Sequence, residues 1–566
     1  MAITRRDVLR SSVALAATAG SVAVGSNALA AGLGGTNSNT NSKKKKQPNI
    51  FFIISDELRA DAVGFMGSKT AKTPHLDAFA KDCAKFTNYH CNSPMCVPSR
   101  VSIATGRHAM SHGAVDNMLE PLKSERSIYS MLNEKGYLTF NHGKWHSNID
   151  PEEFGIQYTN GGHHECTFPE LAVSCFGISD PALRKTSKHT KSQGEISLII
   201  SGTRPSAAED TLDSVVTRNY IEQIESLNEK MPDKPLFARL SIMDPHTPYL
   251  PSEPYASMFD PAQMKVPESF GDDLSDKPIV HQYFYHSRRF NELNAKDIQE
   301  TVASYSGLVT HVDDRVGNVV DYLKEKDLYD DSLIVFVADH GAMLGEHGFV
   351  EKWGIMYEEV LRTPFLIKFP NGQYGGQTFD SLVDSVDIMP TILELLDMEI
   401  PNNVQGKSLL PYLEGKTETH KDEIYAQYFC GGLQNESALC VKDKRWKLTS
   451  YPEGHEIEKH MPLDHPLSKS FLFDQEDVKG ELYDLEKDPY ERHNLFNKSE
   501  YADIKKKYLN KIEGWKGTLL PVVKQNFNDD SMKANLCWVL QGKNSQHVRE
   551  MFSDKGKTDP VNIALK

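Results

Sequence analysis

The amino-acid sequence predicts an α/β fold: a large, mostly parallel sheet sandwiched by helices, with a smaller C-terminal α+β domain containing an antiparallel sheet. Three features predict it. Largely apolar runs end abruptly on polar residues: 49–54 stops at Ser55-Asp56, 235–243 at Asp244 and 333–338 at Asp339, while 137–140 runs into His142 and 365–369 is a fifth run. Strands buried on both faces read this way, because neither face needs a polar residue. Helical patterns at 127–135, 211–228 and 296–324 alternate with these runs, as parallel strands joined by crossover helices require. Past Gly415 the runs shorten to 424–428, 438–441, 446–448 and 481–485, and a helix candidate follows at 504–515.

From the N-terminus, Thr4-Arg5-Arg6-Asp7-Val8-Leu9-Arg10 is a twin-arginine pattern. Small and apolar residues follow to about Val24, and Ala28-Leu29-Ala30 offers a small-x-small cleavage site. Residues 1–30 therefore read as a signal for the twin-arginine (Tat) export machinery. The stretch is too short and too rich in Ala, Gly and Ser for a permanent membrane anchor. The expected location is periplasmic or secreted. Residues 31–47, rich in Gly, Ser, Asn and Lys, read as a disordered linker. The catalytic domain is expected over 48–415, and the small C-terminal domain with its extension over 416–566.

The 566 residues carry a formal charge of −15. A chain this acidic is a poor general binder of nucleic acid or anionic membrane, so an anionic substrate must be held by local basic residues. Of eight cysteines, Cys166/Cys175 and Cys430/Cys440 are possible local pairs in an oxidising compartment. No spacing resembles a zinc site.

The polar residues that end the strands fall at one sheet edge, where open α/β sheets bind ligands. Cys96-Val97-Pro98-Ser99-Arg100, with Thr105-Gly106-Arg107 soon after, resembles the modification motif of the type I sulfatases of the alkaline phosphatase superfamily. That resemblance extends over about 48–495, through Val386-Asp387-Ile388-Met389-Pro390-Thr391 and Glu481-Leu482-Tyr483-Asp484-Leu485. It implies an alkaline-phosphatase-like fold and a formylglycine (3-oxoalanine) made from Cys96 by a maturation enzyme. A thiolate is a soft nucleophile, ill suited to sulfur(VI). A hydrated aldehyde offers one hydroxyl for attack and a second that expels sulfate as the carbonyl re-forms. Pro98 suits a first helical turn, so Cys96 is expected beside a helix N-terminus, which favours anions. Arg100, one turn on, is expected to brace the modified side chain or the metal-bound oxygen.

The resemblance further implies a Ca²⁺ site built from Asp56, Glu57, Cys96, Asp339 and His340, since oxygen ligands suit a hard cation. Two departures from the family pattern bear on the ion. Glu57 stands where many relatives have Asp or Gln, and His340 where many have Asn, which keeps Mg²⁺ and Mn²⁺ as alternatives. Gly143-Lys144-Trp145-His146 resembles the second signature of the family. Lys144 would bind sulfate oxygens, and His146 would deprotonate the second hydroxyl. Within Asp244-Pro245-His246-Thr247-Pro248-Tyr249, His246 would protonate the leaving alcohol. Gly345-Glu346-His347-Gly348 leads to Lys352, the second sulfate-binding Lys. His347 either orients a ligand or supports its loop, and His142, His163, His164 and Asp150, which could contact substrate, read rather as surface-loop residues. The expected substrate is a sulfated carbohydrate; the sequence shows no clear aromatic cage for choline. Phosphonate or phosphate ester hydrolysis is the alternative, and a non-catalytic carbohydrate-binding relative a third class, disfavoured because every motif residue is present.

Overall fold

A computed structural model describes residues 47–519, except 118, 160–172, 175–176, 179–187, 192–196, 289, 353, 431–435 and 452–477. In chain order the elements that matter here are β1 (Ile50–Ser55), β2 (Ala84–Phe86), α1 (Cys96–Thr105), α2 (Ile128–Lys135), β3 (Leu138–Gly143), β4 (Tyr158–Thr159), α3 (Leu212–Lys230), β5 (Leu236–Ile242), α4 (Ala295–Glu325), β6 (Leu333–Ala338), β7 (Phe365–Lys368) and β8 (Thr378–Phe379). They are followed by β9 (Ile424–Cys430), β10 (Glu436–Lys442), β11 (Trp446–Ser450), β12 (Gly480–Asp484) and α5 (Ala502–Lys516).

The central sheet runs β8-β2-β7-β6-β1-β5-β3-β4. β1 lies between β5 and β6, parallel to both, and β3 is parallel to β5. Every residue of β1 is buried, and alternation along it fills two cores at once. Phe51 and Ile53 pack with Val216, Tyr220 and Ile224 of α3 and with Val309, Val312 and Val316 of α4. Ile50, Phe52 and Ile54 pack on the other face with Val97 and Val101 of α1 and Ile128 and Leu132 of α2. Two covered faces explain the unbroken apolar run, and each such side chain contributes about 1.5–3 kcal/mol by leaving water. The helices start where capping chemistry allows: Ser127 and Thr211 accept the N–H of Ser130 and Ser214, and Asn294 forms a capping box with Asp297.

Register aligns the C-terminal ends of four strands. Ser55 pairs with Ile242 on one side and Ala338 on the other, and Gly143 pairs with Ser241. Asp56, Asp244, Asp339 and Lys144 therefore leave the sheet along one edge. The fifth apolar run, β7, lies antiparallel to β6, and β2 antiparallel to β7. Direction is invisible in a run whose two faces are both apolar.

The C-terminal strands form an antiparallel sheet in the order β9-β10-β11-β12. Its two faces are occupied differently. Ala438, Cys440, Tyr451 and Tyr483 join the core under the central sheet. Leu439, Val441, Leu448 and Leu482 pack against Tyr508, Ile512 and Trp515 of α5.

Two expectations need correction. His142 is not a surface-loop residue: it lies inside β3, buried against Phe140 and Tyr220, and burial pushes its pKa down to about 4. Strand β3 runs three residues further than its apolar run because α3 covers that face. Cys440 is a free buried thiol opposite Ala426, so no Cys430/Cys440 bridge forms. Cys83 and Cys91 are also free. Residues 1–46, His163, His164, Cys166, Cys175 and Cys537 lie outside the described residues. Among the described residues, no helix is long and apolar enough to cross a membrane.

Candidate active site

α1 begins at Cys96 and is buried along its whole length. Its N-terminus faces the sheet edge where Asp56 and Asp339 emerge. The Cys96 Sγ lies 3.3 Å from His340 Nε2, 3.6 Å from Lys144 Nζ and 3.8 Å from Asp56 Oδ1. Arg100, one turn into α1, spans the two carboxylates: Nη2 donates to Asp56 Oδ2 at 3.0 Å and Nε to Asp339 Oδ2 at 2.8 Å. A further guanidinium bond to Ser241 Oγ at 2.8 Å fixes the fork. Arg100 thus engages both carboxylates that flank the Cys96 sulfur.

With Oδ2 of each Asp taken by Arg100, both Oδ1 atoms lie 3.7 Å from His340 Nε2. His340 Nδ1 sits 3.0 Å from the Gly341 carbonyl. A carbonyl only accepts, so Nδ1 carries the proton and Nε2 presents its lone pair to the carboxylates and the sulfur. Burial lowers the His340 pKa, Asp339 working against that and Lys352 adding to it, so the imidazole stays neutral as a metal ligand must. One ligand atom from each of Asp56, Cys96, Asp339 and His340 lies within 4.8 Å of the other three. Two hard oxygens, a neutral nitrogen and a fourth donor suit a divalent cation. Burial disfavours the Asp56 charge, but the Lys144 ammonium and the Arg100 guanidinium outweigh it and hold the carboxyl well below its ordinary range.

The second half of the site is built on loops. Glu57, at φ 64°, turns its carboxylate away from that four-residue group. Oε2 takes the Lys352 ammonium at 2.5 Å and Oε1 the Tyr249 hydroxyl at 3.0 Å. His246 Nε2 stands 3.6 Å from Glu57 Oε2, and Asp56, Glu57 and His246 form a second close group. His246 Nδ1 lies 2.5 Å from the Thr247 carbonyl, which makes Nδ1 the donor and leaves Nε2 toward Glu57. Burial, then Lys352 and Lys144, push the His246 pKa well down. Burial also opposes the charge on Lys352, yet Cys96, Glu57 and Asp56 hold its pKa above the usual value. His146 follows Lys144 by two residues in a left-handed turn, φ 37°. His347 stacks on Tyr357, with ring centroids 4.2 Å apart, which makes it a support of the Lys352 loop.

Several side chains that hold the site carried no motif signal. The Tyr305 hydroxyl donates to the Glu57 carbonyl at 2.8 Å, and Thr247 Oγ1 donates to Glu351 Oε1 at 3.1 Å. Asp213 and His311 brace the segment that bears His246. Tyr249 belongs to the 244–249 motif, but nothing local points its hydroxyl at Glu57.

A sequence-family profile described as sulfatase matches residues 48–398, and one described as the C-terminal part of N-sulphoglucosamine sulphohydrolase matches 345–457. An arylsulfatase of Clostridium perfringens is 29% identical over 496 residues, covering 83% of this chain and 95% of that protein. An N-acetylglucosamine-6-O-sulfatase of Bacteroides thetaiotaomicron is 24% identical, covering 84% and 87%. The crystal structure of a phosphonate monoester hydrolase of Agrobacterium radiobacter superposes with a TM-score of 0.68 at 21% identity, covering 84% of this chain and 96% of that one. The sulfatase profile begins one strand before Asp56 and runs past His340 and Lys352, so it spans the whole of this sheet edge; the chain belongs to the sulfatase family and is a sulfuric ester hydrolase.

Proposed function

We propose that the chain hydrolyses sulfate monoesters on a sulfated saccharide, with Cys96, oxidised to formylglycine, as its nucleophile. The observation that carries this reading is the crowding of the Cys96 sulfur, at the first residue of α1, by His340, Lys144 and Asp56 within 3.8 Å. In the structure the sulfur stands in for the oxygen of the oxidised side chain. Oxidised and hydrated, that side chain supplies one hydroxyl to attack sulfur and a second to release sulfate.

Asp56, Asp339, His340 and the oxidised Cys96 would hold a divalent cation, with Glu57 beside them; Ca²⁺ comes first, and Mg²⁺ or Mn²⁺ are alternatives because of the imidazole. Such an ion would supply Lewis-acid chemistry, drawing charge from the sulfuryl oxygens and favouring the ionised nucleophile. Lys144 and Lys352 bind the remaining sulfate oxygens. Arg100 keeps both Asp carboxylates aimed. His246 gives its Nε2 proton to the departing sugar oxygen, a step worth about 10²–10⁴-fold for a poor leaving group. Burial, then Lys352 and Lys144, disfavour the His246 cation; an incoming sulfate offsets the lysine charges and so favours the proton on Nε2. His146 takes the proton of the second hydroxyl during release.

The saccharide substrate rests on what the Bacteroides relative acts on. The Arg5-Arg6 leader supports export through the Tat machinery to the periplasm or beyond, with a formylglycine-generating enzyme as maturation partner. The alternative, hydrolysis of phosphonate or phosphate monoesters, is favoured by His340 and by the likeness in fold to a phosphonate monoester hydrolase. The test is a tryptic-peptide mass measurement on protein made with a maturation enzyme, followed by a panel of sulfated oligosaccharides and phosphonate monoesters. An aldehyde at Cys96 and desulfation of at least one saccharide are expected. A thiol-only peptide in active enzyme overturns the nucleophile, and faster turnover of phosphonates overturns the substrate class.

A further inference from the structure

His246 lies on a segment, 244–248, that has no regular structure of its own. A group that must meet a leaving oxygen within hydrogen-bond distance cannot wander, so something must hold this segment. Four side chains from distant elements do. Asp213, at the start of α3, accepts the backbone N–H of Met243 and of Asp244, each at 2.8 Å. Ser55 Oγ, at the end of β1, donates to the Asp244 carbonyl at 2.7 Å. Glu351 accepts from Thr247 on the Lys352 side. The fourth is His311, in the middle of α4 and buried, whose Nδ1 meets Asp244 Oδ2 at 2.8 Å.

The His311 contact differs from the other three in reaching two elements at once. Its Nε2 lies 3.1 Å from Ser214 Oγ and 3.4 Å from Thr211 Oγ1, both at the N-terminus of α3. Tyr255 packs edge-on against the ring, with centroids 5.0 Å apart. The imidazole is therefore a spacer between α3 and the His246 segment, pinned at both nitrogens. The Asp244 carboxylate accepts only, so Nδ1 donates to it.

We propose that His311, acting through Asp244, is a positioning residue for His246 and sets the approach of the His246 Nε2 proton to the leaving oxygen. The proposal rests on the reading of His246 as the acid. A purely structural His311 would slow every substrate alike when replaced. A positioning His311 makes the loss depend on the leaving group, because an activated aryl oxide departs without protonation and a sugar alkoxide does not.

The test uses the mature, metal-loaded enzyme with a sulfated saccharide and a 4-nitrophenyl sulfate. His311→Phe keeps the ring and its packing while deleting both polar contacts. Expected is a loss in kcat/KM of about 10²-fold on the saccharide and less than about 3-fold on the aryl ester, carried by kcat rather than KM. His311→Asn, whose amide can donate to Asp244, is expected to recover about half of the loss on a logarithmic scale. If His311→Phe does not fold, Asp244→Ala, which removes the other partner of the same contact, carries the comparison. His246→Ala is run beside them. A differential loss in His246→Ala with equal losses, or none, in His311→Phe overturns the proposal alone. Equal losses on both esters in His246→Ala overturn the acid reading and the proposal with it.

Discussion

The two halves of the site are constructed on opposite principles. The half around Cys96 stands on regular structure: Asp56 and Asp339 leave adjacent parallel strands at paired positions, and Cys96 opens a buried helix. One side chain, Arg100, ties all three elements together. The half around His246 stands on loops, and is held by contacts that reach across the sequence: Asp244 to His311, Thr247 to Glu351 and Glu57 to Lys352. The difference matches the demands on each half. In the proposed mechanism the nucleophile meets sulfur, a fixed centre of invariant size, whereas the acid meets the alcohol, which varies from one ester to the next. Loops can be re-aimed without disturbing the sheet.

The sharpest way to break this comparison is to remove one member of each half. Cys96→Ala is expected to lower sulfate release by about 10⁶-fold on every ester, the scale seen when a covalent nucleophile is deleted, while leaving the thermal unfolding midpoint within a few degrees. His246→Ala is expected to cost about 10²–10⁴-fold on a saccharide sulfate and far less on an activated aryl sulfate. If both variants lose equally on both esters, the division into nucleophile and acid halves is wrong. Ion-chromatographic measurement of released sulfate reads all four combinations.

Arg100→Met probes the strand-built half through stability. Two carboxylates with no solvent exposure would lose their shared counter-charge, and breaking such a buried pair costs about 3–5 kcal/mol. A divalent cation held by the Oδ1 atoms of the same two carboxylates would supply part of the missing charge. Unfolding of Arg100→Met is therefore expected to fall further in chelator than in millimolar Ca²⁺, and by a wider gap than for wild type. An equal drop in both conditions would mean that Asp56 and Asp339 do not share the ion.

The same contrast explains what the sequence revealed. The strand-built half was legible because each functional residue sits beside a visible punctuation mark: Asp56 and Asp339 end apolar runs, and Cys96 precedes a Pro of a first helical turn. Lys144, His246 and Lys352 were reached through motifs. His311 was not, because on α4 it reads as one more buried position of an amphipathic helix, and its partner lies 67 residues away. Nor did any local pattern show that Glu57 gives its carboxylate to Lys352, 295 residues on. The antiparallel course of β7 stayed hidden for a related reason, since pairing direction is a property of two strands and not of one.

The smallest effect concerns how the loop-built half is anchored to the C-terminal sheet. Just past the Lys352 loop, the Glu358 N–H donates to Glu491 Oε2 at 2.8 Å, and Lys447 of β11 meets Glu491 Oε1 at 2.8 Å. Burial pushes the Glu491 carboxyl up to about 7; Lys447 works against this and Glu358 with it. Between the ordinary value of 4.5 and about 7 the folded chain holds a proton that the unfolded chain has released. By linkage this residue makes stability fall as pH rises through that window, and adds no slope above it. Asp56, whose carboxyl is held low, has the opposite sign: its contribution is lost as pH falls. Glu491→Gln is expected to flatten the decline in unfolding midpoint between pH 5 and 7 by up to one proton's worth, while changing turnover on aryl sulfate by less than about 3-fold. An unchanged slope would show that Lys447 keeps Glu491 ionised throughout, and that the anchor behind Lys352 is a plain ion pair.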